Sequence, residues 1–397
     1  MPPVEAGPLA GRRIYFVGIG GAGISAYANV ARALGAEVRG WDVRETIFLD
    51  ALHPEITVDL GNEPAPPAGW EVVLSTAHAH RVEGRPRAEF LAELVVARPS
   101  IVVGGAHGKT TTAAMIAFVL QETGRDPAWI IGGVVPQLGG NAGVGAGWLV
   151  VEGDESDRSI GLLRPQIAAL TNIDLDHHAT YASTAELTAF LDGWAGGVPQ
   201  VVRGWELEPV ELDLAVPGEH NRANAATALA VLALAGVPAG ESAPVLARFT
   251  GVDRRFQLVG QVRGISVYDD YGHNPAELAA TLRTARERTE RELIAVYQPH
   301  VFERTRQLAL ELAEALSLAD AAIVTEVTGA RDAPREGVTG KWVLDRLPGD
   351  VRAGWAPTLD DAARLALSWA APGDVVVTLG VGEPWKIARA IVAGLAA

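Results

Sequence analysis

Short apolar runs alternate with amphipathic stretches along almost the whole chain, and this alternation predicts the architecture. Residues 13–18 read as a strand closed by glycine, 23–34 as a helix and 37–42 as the next strand. Residues 71–76 and 88–97 repeat the strand-then-helix order. Residues 100–104 form a continuous apolar run, suited to a strand buried on both faces. A helix over 110–123 and strands over 148–152 and 166–172 follow. The Ala-rich run 221–235 is a strong helix former. Further on, 265–269 reads as a strand and 275–288 as a helix with proline near its first turn. Residues 292–297, 321–325 and 374–379 complete another alternation. Strands alternating with helices predict an α/β chain built on parallel, doubly wound sheets.

With 397 residues the chain is too long for one ordinary core. New blocks begin near residues 99 and 251. They predict three domains: a Rossmann-like sheet over 1–98, a central P-loop ATPase-type domain over 99–250 and a Rossmann-like domain over 251–397.

Composition narrows the function. A net charge of −15 argues against a general nucleic-acid surface, while leaving room for a local cationic pocket that binds phosphate. The absence of Cys excludes disulfides, thiolate metal sites and a cysteine nucleophile. Residues 1–13 lack the apolar region of a signal peptide, and the longest apolar stretch, 225–237, is too short to span a bilayer. A cytoplasmic location without membrane insertion is the expectation.

The strongest chemical signal is Gly104-Gly105-Ala-His-Gly108-Lys109-Thr110-Thr111-Thr112, placed between an apolar strand and a helix. Backbone amides of such a loop cradle phosphate oxygens, the lysine neutralises their charge, and the next hydroxyl suits magnesium. The general P-loop pattern asks for glycine where this chain has Val103. A second glycine turn, Gly18-Ile-Gly20-Gly21-Ala-Gly23, also joins a strand to a helix, and Asp42 ends the next strand where a ribose hydroxyl could bind. That turn suits a dinucleotide or another diphosphate, such as a nucleotide sugar, but a tight turn without ligand has the same pattern. Two acidic strand ends follow, Glu152-Gly-Asp154-Glu155-Ser156-Asp157 and Asp174-Leu-Asp176-His177-His178. Carboxylates at strand C-termini suit magnesium, whereas individually they also read as solvated loop residues.

In their order along the chain, GIGGAGIS, GGAHGKTTT, VEGDESD, TNIDLDHH, PGEHNRANA, FTGVDRRF, YDDYGHNPAE and QPHVFERTR resemble the Mur ligases of bacterial cell-wall synthesis. The likeness is strongest to the branch that joins L-alanine to UDP-N-acetylmuramate. It implies an ATP-dependent ligase of peptidoglycan synthesis, with UDP-sugar and amino-acid substrates and an acyl phosphate intermediate. By resemblance, the substrate side comprises Gly18, Gly20, Gly21, Gly23, Ser25, Asp42 and, in the third domain, Arg304. The ATP side comprises Gly105, Gly108, Lys109, Thr110, Thr111, Asn221, Asn224 and Asp270. Thr110, Glu152 and His177 would hold Mg2+, Arg255 would reach the γ-phosphate, and His273 would orient or deprotonate the amine.

Bland readings stay open beside these: Asn221 and Asn224 could cap a helix, Arg255 could be a linker charge, and Asp270 could end an ordinary turn. The chain departs from the family pattern at Trp41, at Asn274 where a second histidine is usual, and at Val301 where arginine is usual. It is also shorter between Trp194 and Pro217. These departures keep open another amino acid, a muramyl tripeptide-recycling ligase or a non-catalytic nucleotide-binding relative.

Overall fold

The computed structural model describes residues 7–46, 48–174, 180–329, 335 and 337–397. The chain forms two compact units, one of residues 1–216 with 220–252, the other of 217–219 with 253–397. Three mostly parallel sheets run through them, in accord with the α/β reading.

The first sheet contains β1 (Arg13–Val17), β2 (Glu37–Asp42), β3 (Thr57–Leu60), β4 (Glu71–Leu74) and β5 (Arg85–Pro86), in the order β3-β2-β1-β4-β5. Its pairings are all parallel. Helix α1 (Ala22–Ala33) connects β1 to β2, and α2 (Arg87–Val96) follows β5. The strand order reverses beside β1, which places the turn after Val17 at the crevice where such sheets take ligands.

The second sheet has the order β11-β10-β6-β9-β7-β8. Its strands are β6 (Ser100–Gly104), β7 (Ala128–Val135), β8 (Gly140–Gly143), β9 (Leu149–Glu152), β10 (Ile167–Leu170) and β11 (Gln200–Arg203). Helix α3 (Lys109–Glu122) leaves β6, and every residue from Thr110 to Leu120 is buried. A helix that is apolar on all sides belongs inside a core. Helices α4 (Thr184–Ala195), α5 (Glu219–Leu234) and α6 (Ala239–Leu246) complete this part. The antiparallel β7–β8 hairpin receives α1 of the first sheet. One continuous apolar core therefore joins Ile14, Phe16 and Ile24 to Val102, Ile130 and Val151.

In the other unit the order is β12-β13-β17-β14-β15-β16. These are β12 (Gln257–Val262), β13 (Ile265–Asp270), β14 (Leu293–Tyr297), β15 (Ala321–Val324), β16 (Arg352–Trp355) and β17 (Val375–Leu379). One core face is covered by α7 (Pro275–Arg286) and α9 (Ala309–Leu316), the latter preceded by the short α8 (Phe302–Gln307). Beyond the short α10 (Lys341–Leu344), α11 (Leu359–Trp369) and α12 (Pro384–Ala396) cover the opposite face. Asn274 caps α7, its side chain accepting from Glu277 N at 2.9 Å. The departure from histidine at this position thus gives the helix a favoured N-cap.

Candidate active site

The turn after β6 is shaped by glycines that no other residue could replace. Gly105 and Gly108 have φ of +116° and +78°. A Cβ on Gly105 would lie 2.4 Å from Thr171 Oγ1, and one on Gly108 would lie 2.2 Å from Asn224 Oδ1. Asn172 fixes the loop from the next strand end: its Oδ1 accepts from His107 N at 2.9 Å, and its Nδ2 donates to His107 O at 2.9 Å. Asn221 and Asn224 are buried on α5, with Asn224 against the loop. Asn224 Nδ2 donates to Asn221 Oδ1 at 3.4 Å, which links the second asparagine to the first.

Lys109 opens α3 and donates to Gly105 O at 2.6 Å, Ala106 O at 3.1 Å and Glu155 Oε1 at 2.9 Å. Burial works against its charge, but Glu155, Glu152 and Asp154 outweigh that effect, and its pKa is raised. Glu155 is 1% exposed, so it is a built-in partner for the ammonium and no solvated loop acid. Thr110 Oγ1 donates to Glu152 Oε1 at 2.8 Å, while Gly132 N donates to Glu152 Oε2 at 2.7 Å. Thr111 is buried in the same first turn.

A hydroxyl and a carboxylate in contact are hard oxygen donors of the type magnesium takes beside phosphate and water. No group of three or more His, Asp or Glu able to hold a metal occurs among the described residues. His177, expected to share the metal with Glu152, lies outside the described residues.

Arg87, at the start of α2, was not anticipated. Its guanidinium donates to Asp154, and to Thr76 Oγ1 at 3.3 Å. Asp154 is held below the usual carboxylate range, with Arg87 and a Ser156 hydrogen bond overcoming its burial. No motif marks Arg87, because its partner is 67 residues away.

At the first glycine turn, Gly18 has φ +84°, and a Cβ there would meet Ser75 Oγ at 2.3 Å. Gly21 precedes α1, and Gly23 stands in its first turn facing Arg87, whose Nη1 would be 3.3 Å from a Cβ there. Asp42, expected near a ribose, ends β2 beside the turn. Its Oδ2 accepts from Gly20 N at 2.8 Å and its Oδ1 from Val43 N at 2.7 Å, so the carboxylate braces the turn itself. Ser25, expected on the substrate side, lies at the start of α1. It is wholly buried, and its hydroxyl accepts from Asn141 Nδ2 at 3.1 Å, which joins α1 to β8. Trp41 is 1% exposed and packs edge-on against His78.

In the unit of the third sheet, Arg255 is half-buried with its guanidinium 5.2 Å from the Tyr271 ring centroid. Asp270 is buried at the end of β13 and accepts from Phe256 N and Gly272 N, each at 2.7 Å. His273 Nδ1 lies 3.3 Å from Tyr271 O and from Glu277 Oε2. Arg304 is half-buried on α8. Val301, at the start of that helix, has φ +70°, a rare conformation for a β-branched residue.

Residues 13–98 match the model of the Mur ligase family, catalytic domain, and residues 254–382 that of the Mur ligase, glutamate ligase domain. The UDP-N-acetylmuramate--L-alanine ligase of Renibacterium salmoninarum is 36% identical, over 97% of this chain and 96% of the relative. The chain belongs to the Mur ligase family. The enzyme of the same name from Desulforamulus reducens is 34% identical, over 96% of this Mur ligase and 97% of the relative. The crystal structure of UDP-N-acetylmuramate-alanine ligase from Thermotoga maritima superposes with a TM-score of 0.81 at 26% identity, covering 96% and 98% of the two chains. The Renibacterium alignment runs over 449 positions against 397 residues here, so several dozen positions of that relative have no counterpart in this Mur ligase.

Proposed function

We propose that this Mur ligase joins L-alanine to the carboxylate of UDP-N-acetylmuramate at the expense of ATP, in peptidoglycan synthesis. What supports the reading is the glycine-shaped loop at Lys109 in a chain similar to enzymes of that name over nearly its full length. No helix among the described residues is long and apolar enough to cross a membrane, which suits a cytoplasmic reaction on nucleotide substrates.

The reaction needs charge neutralisation and positioning more than covalent chemistry by the protein. A carboxylate oxygen of the sugar attacks the γ-phosphorus, the bridge to the β-phosphate breaks, and ADP leaves. The amine nitrogen then attacks the acyl carbon, the bond to the phosphate oxygen breaks, phosphate leaves, and the nitrogen gives up a proton. Lys109 and the loop amides hold the triphosphate. Thr110, Glu152 and His177 would hold Mg2+, which neutralises charge on the phosphates when bound. Asn221 and Asn224 meet the adenine end, Arg255 serves the transferred phosphoryl group, and His273 orients the amine. Gly18, Gly20, Gly21 and Gly23 leave room for the diphosphate of the sugar nucleotide, and Arg304 serves the amino-acid side.

The test is ADP release with ATP, Mg2+ and UDP-N-acetylmuramate, each standard amino acid being supplied in turn, and mass spectrometry of the product. Release that requires all four components, greatest with L-alanine, is the expected result. Background release with every amino acid overturns the reading. Release with another amino acid, or with a tripeptide supplied in place of the amino acid, keeps the ligase and replaces the amine substrate.

A further inference from the structure

The carboxylates that follow β9 divide between two sides. Glu152 and Glu155 meet Thr110 and Lys109 at the phosphate turn. Asp154 and Asp157 meet Arg87 instead, whose Nη2 donates to Asp154 Oδ2 and, at 3.4 Å, to Asp157 Oδ2. Both acids are fixed by their own loop: Asp154 Oδ1 accepts from Ser156 N and Asp157 Oδ1 from Ser159 N, each at 3.0 Å. Arg87 Nε donates to Thr76 Oγ1 at 3.3 Å. Two of the three guanidinium nitrogens are thereby spent on holding the group in place.

The third, Nη1, has no acceptor among the described residues. It is not sealed in the core, and the side chain keeps 21% of its surface exposed. Nη1 lies beside the first turn of α1, where a Cβ on Gly23 would be 3.3 Å away. A cation at the N-terminal end of a helix is opposed by the dipole and by the free amides of that turn. Asp154 and Asp157 offset this cost, and the guanidinium and the amides together favour an anion between them. We infer that Arg87 contacts the sugar nucleotide: its Nη1 donates to an oxygen of the diphosphate seated at the Gly18–Gly23 turn, while Asp154 and Asp157 hold the guanidinium for it. The inference rests on the reading of that turn as the sugar-nucleotide site, and it supplies the positive charge that the glycines lack.

The test is calorimetric titration of the full chain, which needs no turnover. The probes are UDP, UDP-N-acetylglucosamine (a diphosphate without the carboxylate), UDP-N-acetylmuramate, and the ATP analogue AMP-PNP with Mg2+. Arg87→Lys keeps a charge beside the aspartates and loses the planar fork. It is expected to weaken all three uridine nucleotides by about 10-fold or more, with AMP-PNP within about 3-fold of the parent. An equal loss for AMP-PNP means that Arg87 only braces the acidic loop, and overturns the inference. A loss confined to UDP-N-acetylmuramate assigns the arginine to the carboxylate and overturns it too, as does unchanged affinity for every probe. A parent that binds none of the uridine nucleotides overturns the inference together with the sugar-nucleotide reading. Failure of the ligase reading shows separately, as no ADP release from a protein that still binds UDP. Should Arg87→Lys fail to fold, Arg87→Gln combined with Asp154→Asn, which strands no charge at Asp154, takes its place with the same expected losses.

Discussion

Asn224 stands so close to Gly108 that a methyl group on the glycine would lie 2.2 Å from the asparagine Oδ1. The phosphate turn and α5 are therefore fitted to each other at van der Waals distance.

Gly108→Ala should abolish ATP binding, because it meets this clash and a φ of +78° together. The double variant Gly108→Ala with Asn224→Ala removes the clash and leaves the backbone strain. Calorimetric titration with ATP should show no recovery of affinity. Recovery to near the parent Kd would mean that the conformation at 108 is unimportant.

Lys109→Ala should lower turnover by orders of magnitude. It should also destabilise the fold by about 3 kcal/mol, since it removes the ammonium beside a carboxylate that is 1% exposed. Glu155→Gln in the same background should restore part of that stability and none of the turnover. Thermal denaturation and ADP release measure the two effects separately. An unaltered Tm for Lys109→Ala would contradict the buried pair.

Glu152→Gln should raise the Mg2+ concentration needed for half-maximal ADP release by about 10-fold or more, with little change in Tm. The amide still accepts from Thr110 Oγ1 or Gly132 N, but it is a poor ligand for a hard cation. A Mg2+ titration that matches the parent would remove Glu152 from the metal set.

Ser25→Ala should cost about 1 kcal/mol of stability and leave the KM for UDP-N-acetylmuramate unchanged, because the hydroxyl bonds Asn141 inside the core. A clear rise in that KM with normal stability would return Ser25 to the substrate side.

Burial pushes the Asp270 carboxyl up to about 6, against the opposing pull of Arg255 and the amides of Gly272 and Phe256, with Glu277 adding to the rise. The folded state thus holds this proton more tightly than the unfolded chain. Its stabilising contribution is complete below the ordinary carboxylate value and is lost as pH climbs to about 6. The Tm of the parent relative to Asp270→Asn should therefore fall between about pH 4 and 6 and level off above. A difference that widens with pH in the parent's favour would mean that Arg255 dominates burial.

Much of the frame was legible because it rests on uninterrupted apolar runs. Strand β6 and helix α3 begin within a residue of their expected positions, as a buried strand and a helix buried from Thr110 to Leu120 leave little choice. The β7–β8 hairpin escaped notice: Gly132, Gly133, Gly139, Gly140 and Gly143 leave few side chains to display a period of two. Strand β12 is an edge strand whose alternation is weak. The loop between β6 and α3 was legible because its glycines and Lys109 are close in sequence. Side-chain direction was not, because a polar side chain can turn inward or outward. Ser25 and Asp42 sit where a ligand contact was expected, yet their oxygens serve neighbouring backbone and side chains. Arg87 needed the fold, since nothing in its neighbourhood announces Asp154.

Because α1 is wedged against the β7–β8 hairpin, the turn at Gly18 and the turn at Lys109 are bolted to a common foundation. Heating should melt them in a single step, and limited proteolysis should find no scissile seam near residue 99. Distance between the two turns is then set by the scaffold, like the jaws of a fixed gauge.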